Sequence, residues 1–191
     1  MRVILLGAIH TVFAVLLFGA VSWAGVTVHY QGKAKDAAAV AKVLATARSV
    51  AKDHNWEVRE ANVANASVPR GVAEKERPYQ GPLTGIVIYP HPMCEPIYIR
   101  FGTDLFMRDF VKTQFAGSDV HVDIVGLFRK LKPLLADLQV QDEGEYWETN
   151  DRAKLATNIA TVNAMIESIR KSRPGAKGPV KIGDRIIDLM N

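Results

Sequence analysis

Cysteine is almost missing from this chain: a single one, Cys94, stands in 191 residues. One thiol excludes an intramolecular disulfide framework, and it excludes a zinc cage built from cysteines of this chain alone. A strong excess of one charge is missing too. The 24 Lys and Arg stand against 20 Asp and Glu, a formal balance of +4. That falls well short of the dense basic stripe of a nucleic-acid binder, so no specific nucleic-acid partner is expected. Internal repeats and low-complexity tracts are absent. So are a Gly-x-Ser-x-Gly elbow, a His-Glu-x-x-His pair, a Gly-rich phosphate loop and a dinucleotide fingerprint, and no cofactor is implied. What is present is apolar residue, 48% of the chain. That suffices to bury a core and excludes wholesale disorder, and the length suits one domain.

The longest uncharged apolar run opens the chain. Arg2 is followed by residues 3–24 with no charge among them. A charged start, an apolar run and the small residues Ser22 and Ala24 at the −3 and −1 positions of a cut before Gly25 make a secretory signal peptide. The run is also long enough to compete as an uncleaved anchor, since about 20 residues span a bilayer as a helix. A buried first helix is a further reading of the same segment. A strand starting at Trp23 would be truncated by cleavage after Ala24, which would leave the apolar segment as an appendage. Loss of residues 1–24 removes Arg2 and no acid, lowering the formal charge from +4 to +3. The expected location is therefore export, periplasmic or secreted, or a membrane tether through residues 3–24.

Beyond it, hydrophobic periodicity sets the elements. Val26, Val28 and Tyr30 alternate with Thr27 and His29, a half-buried strand. Val40, Val43, Leu44, Ala47 and Val50 recur at helical spacing within residues 35–54. Residues 56–60 alternate again. Residues 64–83 hold Pro69, Pro78, Pro82, Gly71 and Gly81 and read as a long loop, either functional or poorly ordered; Asn65-Ala66-Ser67 within it matches a glycosylation sequon. Residues 85–89 and 97–101 form two apolar strands of a hairpin, joined through Pro90, Pro92 and Pro96, which stiffen the connection. Residues 106–115 are mixed and take no assignment. A helix follows, capped by Ser118, with Ile124, Leu127, Phe128, Leu131 and Leu135 on its buried face and Pro133 shortening it. Residues 138–141 suit a last strand. Leu155, Ile159, Val162, Ile166 and Ile169 define a final helix capped by Thr149 or Asn150, with Asp151 favouring its positive end.

The expected architecture is α+β: a two-layer sandwich with an antiparallel or mixed sheet of about five strands and three helices mainly on one face. The boundaries are 1–24 for the signal or anchor, 25–172 for one domain, and 173–191 for a basic flexible tail.

Four places offer chemistry. His91, Cys94 and Glu95 crowd one rigid loop, where an imidazole beside a thiol can generate a thiolate; the bland reading is a Pro-rich turn with a buried Cys. His91, Cys94, His29 and His121 are the ligand types for zinc, without a recognised spacing, and no metal site is assigned. Asp142, Glu143, Glu145, Glu148 and Asp151 could hold a hard cation, but the run lacks an EF-hand pattern and suits a solvated loop before a helix. Tyr146 and Trp147 beside these acids fit a recognition surface or, more simply, anchors for the last helix. Finally, Lys112 and the residues up to Ser118 lead into a helix start that could bind an anion, with His121 one turn in.

No catalytic constellation is complete. The sequence therefore points to a non-enzymatic binding module for a small ligand or protein partner. Its pocket is expected around residues 90–96, Gln114 and His121, with His91, Cys94, Glu95, Gln114 and His121 as ligand-binding residues. The alternative is a hydrolase or transferase using Cys94 or a His-centred site.

Overall fold

The computed structural model describes residues 25–69, 77–173 and 175–190. The signal or anchor expectation falls on residues 1–24, outside the described residues. Among the described residues no helix is long and apolar enough to cross a membrane.

The alternating segment forms strand β1 (Thr27–Lys33), with Val28 and Tyr30 buried and His29 exposed. It is the centre of an antiparallel sheet, flanked by β6 (Phe106–Lys112) and β7 (Asp137–Asp142). Between β1 and β6 lie helix α1 (Ala37–Asp53) and strands β2 (Glu57–Glu60), β3 (Val63–Val68), β4 (Tyr79–Tyr89) and β5 (Ile97–Gly102). Strand β4 organises the second sheet. One edge pairs in succession with β3 and β2, and the other pairs with β5, with Ile86 opposite Ile99. Gly85 is needed where β4 and β5 run closest, because a Cβ there would lie 2.0 Å from the Ile99 carbonyl oxygen. The two sheets are tied through Tyr30, whose hydroxyl donates to the Tyr98 carbonyl (2.9 Å) and accepts from the Tyr98 amide (3.0 Å).

Helices α1 and α2 (Ser118–Leu131) cover one face. Asp36 caps α1 by accepting from the Ala39 amide at 2.7 Å. Val43, Ala47 and Val50 of α1 and Ile124, Leu127 and Phe128 of α2 close over Val28, Tyr30, Ile86, Ile88, Ile97, Ile99 and Val111. Pro133 ends α2 as expected, and the chain tightens into a 3-10 turn at Lys132–Leu134. After β7, the short α3 (Tyr146–Thr149) leads to α4 (Arg152–Ser172). Its Leu155 and Ile159 pack with Val125, Val26 and Tyr146 in a second, smaller core.

The architecture is α+β, with helices and antiparallel sheets. Several details differ from the sequence reading. Residues 64–83 are not one loop: β3 and the start of β4 occupy both ends. Residues 106–115, whose mixed pattern takes no assignment, supply β6 over Phe106–Lys112. The α2 N-cap is Gly117 rather than Ser118, and it makes no side-chain cap. Asp151, not Thr149 or Asn150, caps α4, accepting from the amides of Ala153 and Lys154 at 2.8 and 3.0 Å. The residues read as a basic flexible tail instead carry strands β8 (Val180–Ile182) and β9 (Arg185–Ile187), an antiparallel hairpin. Ile186 is buried against the domain, and its amide donates to Glu95 at 2.8 Å. Arg185 donates to Glu95 and Asp109, and Lys112 pairs with Asp188 at 2.9 Å. The basic residues are thus partly consumed by acids of the domain, which holds the segment in place.

Candidate functional site

Helices cover one face of the β6–β1–β7 sheet; its other face is left to long polar and aromatic side chains. Alternation along each strand places every second residue there. The pairing register then sets them in rows. Phe110, His29 and Gln141 lie side by side, and two residues further along lie Arg108, Gln31 and Gln139. With Arg100 from β5 and Ser67, Val68 and Pro69 from the end of β3, these rows line a cavity of about 780 Å³. A second, smaller hollow of about 160 Å³ lies between α1 and the β5–β6 turn, and its wall is largely apolar.

The rows form a partly connected polar floor. Gln31 donates to Gln139 at 2.8 Å, and Gln139 donates to Asp137 at 3.0 Å. His29 faces Glu143 at 3.6 Å, and its ring centroid is 5.7 Å from that of Phe110. The acid in the lining, Asp109, is already claimed: Arg100 reaches it at 3.0 Å, Arg185 at 2.8 Å, and the Phe110 amide at 2.9 Å. Arg108 is different. Its Nη1 is buried without a hydrogen-bond partner. Leaving a buried donor unmade costs about 1–3 kcal/mol, more for a charged group.

The five residues expected to bind a ligand, His91, Cys94, Glu95, Gln114 and His121, lie elsewhere, and of the residues singled out in the sequence for chemistry only His29 lines this cavity. His91 is exposed, its Nδ1 accepting from the Met93 amide at 3.1 Å. Cys94 is buried, with its Sγ 3.4 Å from the Lys112 carbonyl oxygen. Burial is the main reason the thiol pKa rises far above its ordinary value, and the Glu95 charge adds to it. A thiol so held is no thiolate nucleophile at neutral pH. Iodoacetamide is expected to leave Cys94 untouched in the folded protein and to modify it fully after denaturation; rapid stoichiometric labelling of the native protein would contradict the geometry. Glu95 is buried as the acceptor for Arg185, the Ile186 amide and the Lys112 amide.

Gln114 and His121 do come together, at a buried seam beside Val26 and Thr113. Gln114 accepts from the Val26 amide (3.1 Å) and donates to Asn163 (2.9 Å). His121 Nδ1 lies 2.7 Å from the Thr113 hydroxyl, and its Nε2 lies 3.0 Å from Asp142. Hydroxyl, imidazole and carboxylate in line have the order of a nucleophile, base and orienting acid. Yet Thr113 and His121 are fully buried, and Asp142 nearly so, which closes the seam to a substrate. Asp142 is the hub, taking the amides of Gly144 (2.7 Å) and Trp147 (2.9 Å) as well. Burial alone would raise its pKa; the hydrogen bond and charge of His121, with the Trp147 and Gly144 amides, overcome that and hold it below the usual carboxylate range. The seam joins β1, β6, β7, α2 and α3.

The acidic run is used in the same local way. Glu143 accepts from the Thr27 amide, Glu145 pairs with Lys154, and Asp151 caps α4. Among the described residues, no three His, Cys, Asp or Glu side chains converge on a metal position.

The residues that sequence reasoning missed are Gln31, Arg108, Phe110, Gln139 and Gln141. Their signal was the period of two. Extending the alternation of β1 past Tyr30 puts Gln31 on the face of His29, and Gln139 and Gln141 alternate with Leu138 and Val140. Arg108 and Phe110 become visible only once residues 106–112 are placed in a strand. Comparisons with protein-family models, with curated proteins and with solved structures find no match to this chain.

Proposed function

We propose that this is an exported or membrane-tethered binding module, which takes a small ligand in the cavity on the open face of the β6–β1–β7 sheet and performs no chemistry on it. The observation that carries this reading is the cavity. Its volume, about 780 Å³, falls in the range of small-molecule sites. Its floor is the central strand of a sheet braced from behind by two helices, so the polar groups that would fix a ligand are pre-positioned. The enzyme alternative has less support, since the Cys94 thiol is buried and both His121 nitrogens are engaged inside the protein.

Gln31→Trp tests the placement. Gln31 lies at the middle of the floor, and an indole there would obstruct the centre of the cavity without touching the helical face. Small fragments added to the wild-type protein are expected to shift the backbone amide resonances of His29, Arg108 and Gln139. The variant is expected to lose those shifts while keeping its circular dichroism and melting temperature. Fragments that map elsewhere, or that bind the obstructed variant equally, would contradict the site.

The location rests on the sequence of residues 1–24. It is supported by β1 starting at Thr27, so a cut before Gly25 leaves the whole ladder intact. The intact mass of the native protein from membrane and soluble fractions tests it. A soluble species starting at Gly25 or a full-length membrane species is expected; full-length protein in the cytoplasm would contradict it.

A further inference from the structure

We propose that the ligand of this cavity is a small monocarboxylate with a flat apolar body, and that Arg108 is its anchor. The inference rests on the reading of the cavity as a binding site and names the chemistry it selects.

Arg108 lines the cavity beside Gln31, its Nη1 shielded from water and without an acceptor. Among the described residues it has no ion-pair partner, whereas the cavity's other guanidinium is occupied. Arg100 binds Asp109 at 3.0 Å and lies 4.1 Å over the Tyr98 ring. Asp109 makes no ion pair with Arg108; its oxygens bond Arg100 and Arg185 instead. One positive charge is therefore left open, which matches a monoanion better than a phosphate dianion. A guanidinium also presents parallel N–H groups that fit a carboxylate side-on. The neighbours fix the rest of the ligand. Phe110, two residues along β6 on the same face, carries the Arg185 guanidinium 3.9 Å over its ring, so a flat apolar body would lie against its other face or edge. Gln31 spends an N–H on Gln139, leaving its carbonyl oxygen as an acceptor for a ligand donor.

Benzoate and benzamide differ in the anion and little else, and they test the assignment on the full chain by ¹H–¹⁵N spectra. Benzoate is expected to shift the Arg108 Nε–H resonance and the amides of Gln31 and Phe110 saturably, with benzamide at least about tenfold weaker. Arg108→Gln should weaken benzoate by a similar factor without lowering the melting temperature. Arg108→Lys, which keeps the charge and loses the fork, should fall between and covers the case in which the glutamine variant does not fold. Inorganic phosphate is expected to bind the same residues more weakly than benzoate.

Equal affinity for benzoate and benzamide, unchanged benzoate binding in both Arg108 variants, tighter binding of phosphate, or no saturable shift at these residues would each overturn the carboxylate assignment. Benzamide binding at the same amides with no preference for benzoate would leave the cavity reading standing. That reading fails separately, if Gln31→Trp does not block fragments.

Discussion

Asp142→Ala is expected to lower the free energy of unfolding by about 3–5 kcal/mol, because it takes the acceptor away from the His121 ring and the Gly144 and Trp147 amides together, and each buried group left unsatisfied costs about 1–3 kcal/mol. The expectation follows from the seam. The Asp142 carboxylate is fully buried, and the His121 ring it faces at 3.0 Å is buried too. The Gly144 and Trp147 amides start the turn into α3. Urea unfolding followed by tryptophan fluorescence measures the loss; a change below about 1 kcal/mol would show that the seam is not a structural hub.

The same carboxylate gives a pH dependence with a definite sign. Its pKa is held below the ordinary range in the fold. A depressed carboxylate stabilises the folded state above its unfolded pKa, and that contribution is lost as pH falls through the folded value. Wild-type stability should therefore decline below about pH 4, the unfolded range of an aspartate. Asp142→Asn, which keeps the shape and removes the titration, should decline less steeply there. Parallel slopes for the two proteins below that pH would contradict the assignment.

Glu95→Ala is expected to cost about 2–3 kcal/mol and to release the β8–β9 hairpin. Glu95 is buried, and three donors converge on it: the Arg185 guanidinium at 3.1 Å, the Ile186 amide at 2.8 Å and the Lys112 amide at 3.2 Å. The cost is set below that of the Asp142 seam because the Arg185 side chain stays 35% exposed, and water screens its share. Release should appear as faster amide hydrogen exchange at Ile186 and at Met190, whose amide bonds the Lys177 carbonyl. Unchanged protection at Ile186 would mean that packing alone, rather than the buried carboxylate, holds the hairpin.

These two buried acids show why some of the molecule was legible in the sequence and some was not. Elements with one uniform period were readable. Val43, Ala47 and Val50 mark α1 because they fall on one helical stripe, and Ile86, Ile88, Ile97 and Ile99 mark β4 and β5 because little but a buried sheet accepts such runs. Strand β6 was hidden because Arg108 and Asp109 stand adjacent in its middle, where the period of two calls for an apolar residue at 109. Asp109 takes that inward position at the sheet junction, compensated by Arg100 and Arg185. The C-terminal hairpin was hidden for a related reason. Its local composition is basic and rich in Gly and Pro, and only partners far away in sequence, Glu95 and Asp109, make it ordered. The candidate site suffered from the same bias. Residues chosen for reactivity, Cys94, Glu95 and His121, proved to be buried and satisfied. The cavity is instead built from glutamines and an arginine whose only sequence signature is their position on the outward face of a strand.

The central claim is that the open face of the β6–β1–β7 sheet holds a small ligand. Native mass spectrometry of the protein isolated from the cells that make it, compared with Gln31→Trp from the same cells, tests this most directly. The account predicts a wild-type protein carrying a small-molecule adduct that denaturation removes, and an obstructed variant that is bare. An adduct retained by the variant, or a wild-type protein that stays bare while binding fragments outside this face, would contradict it.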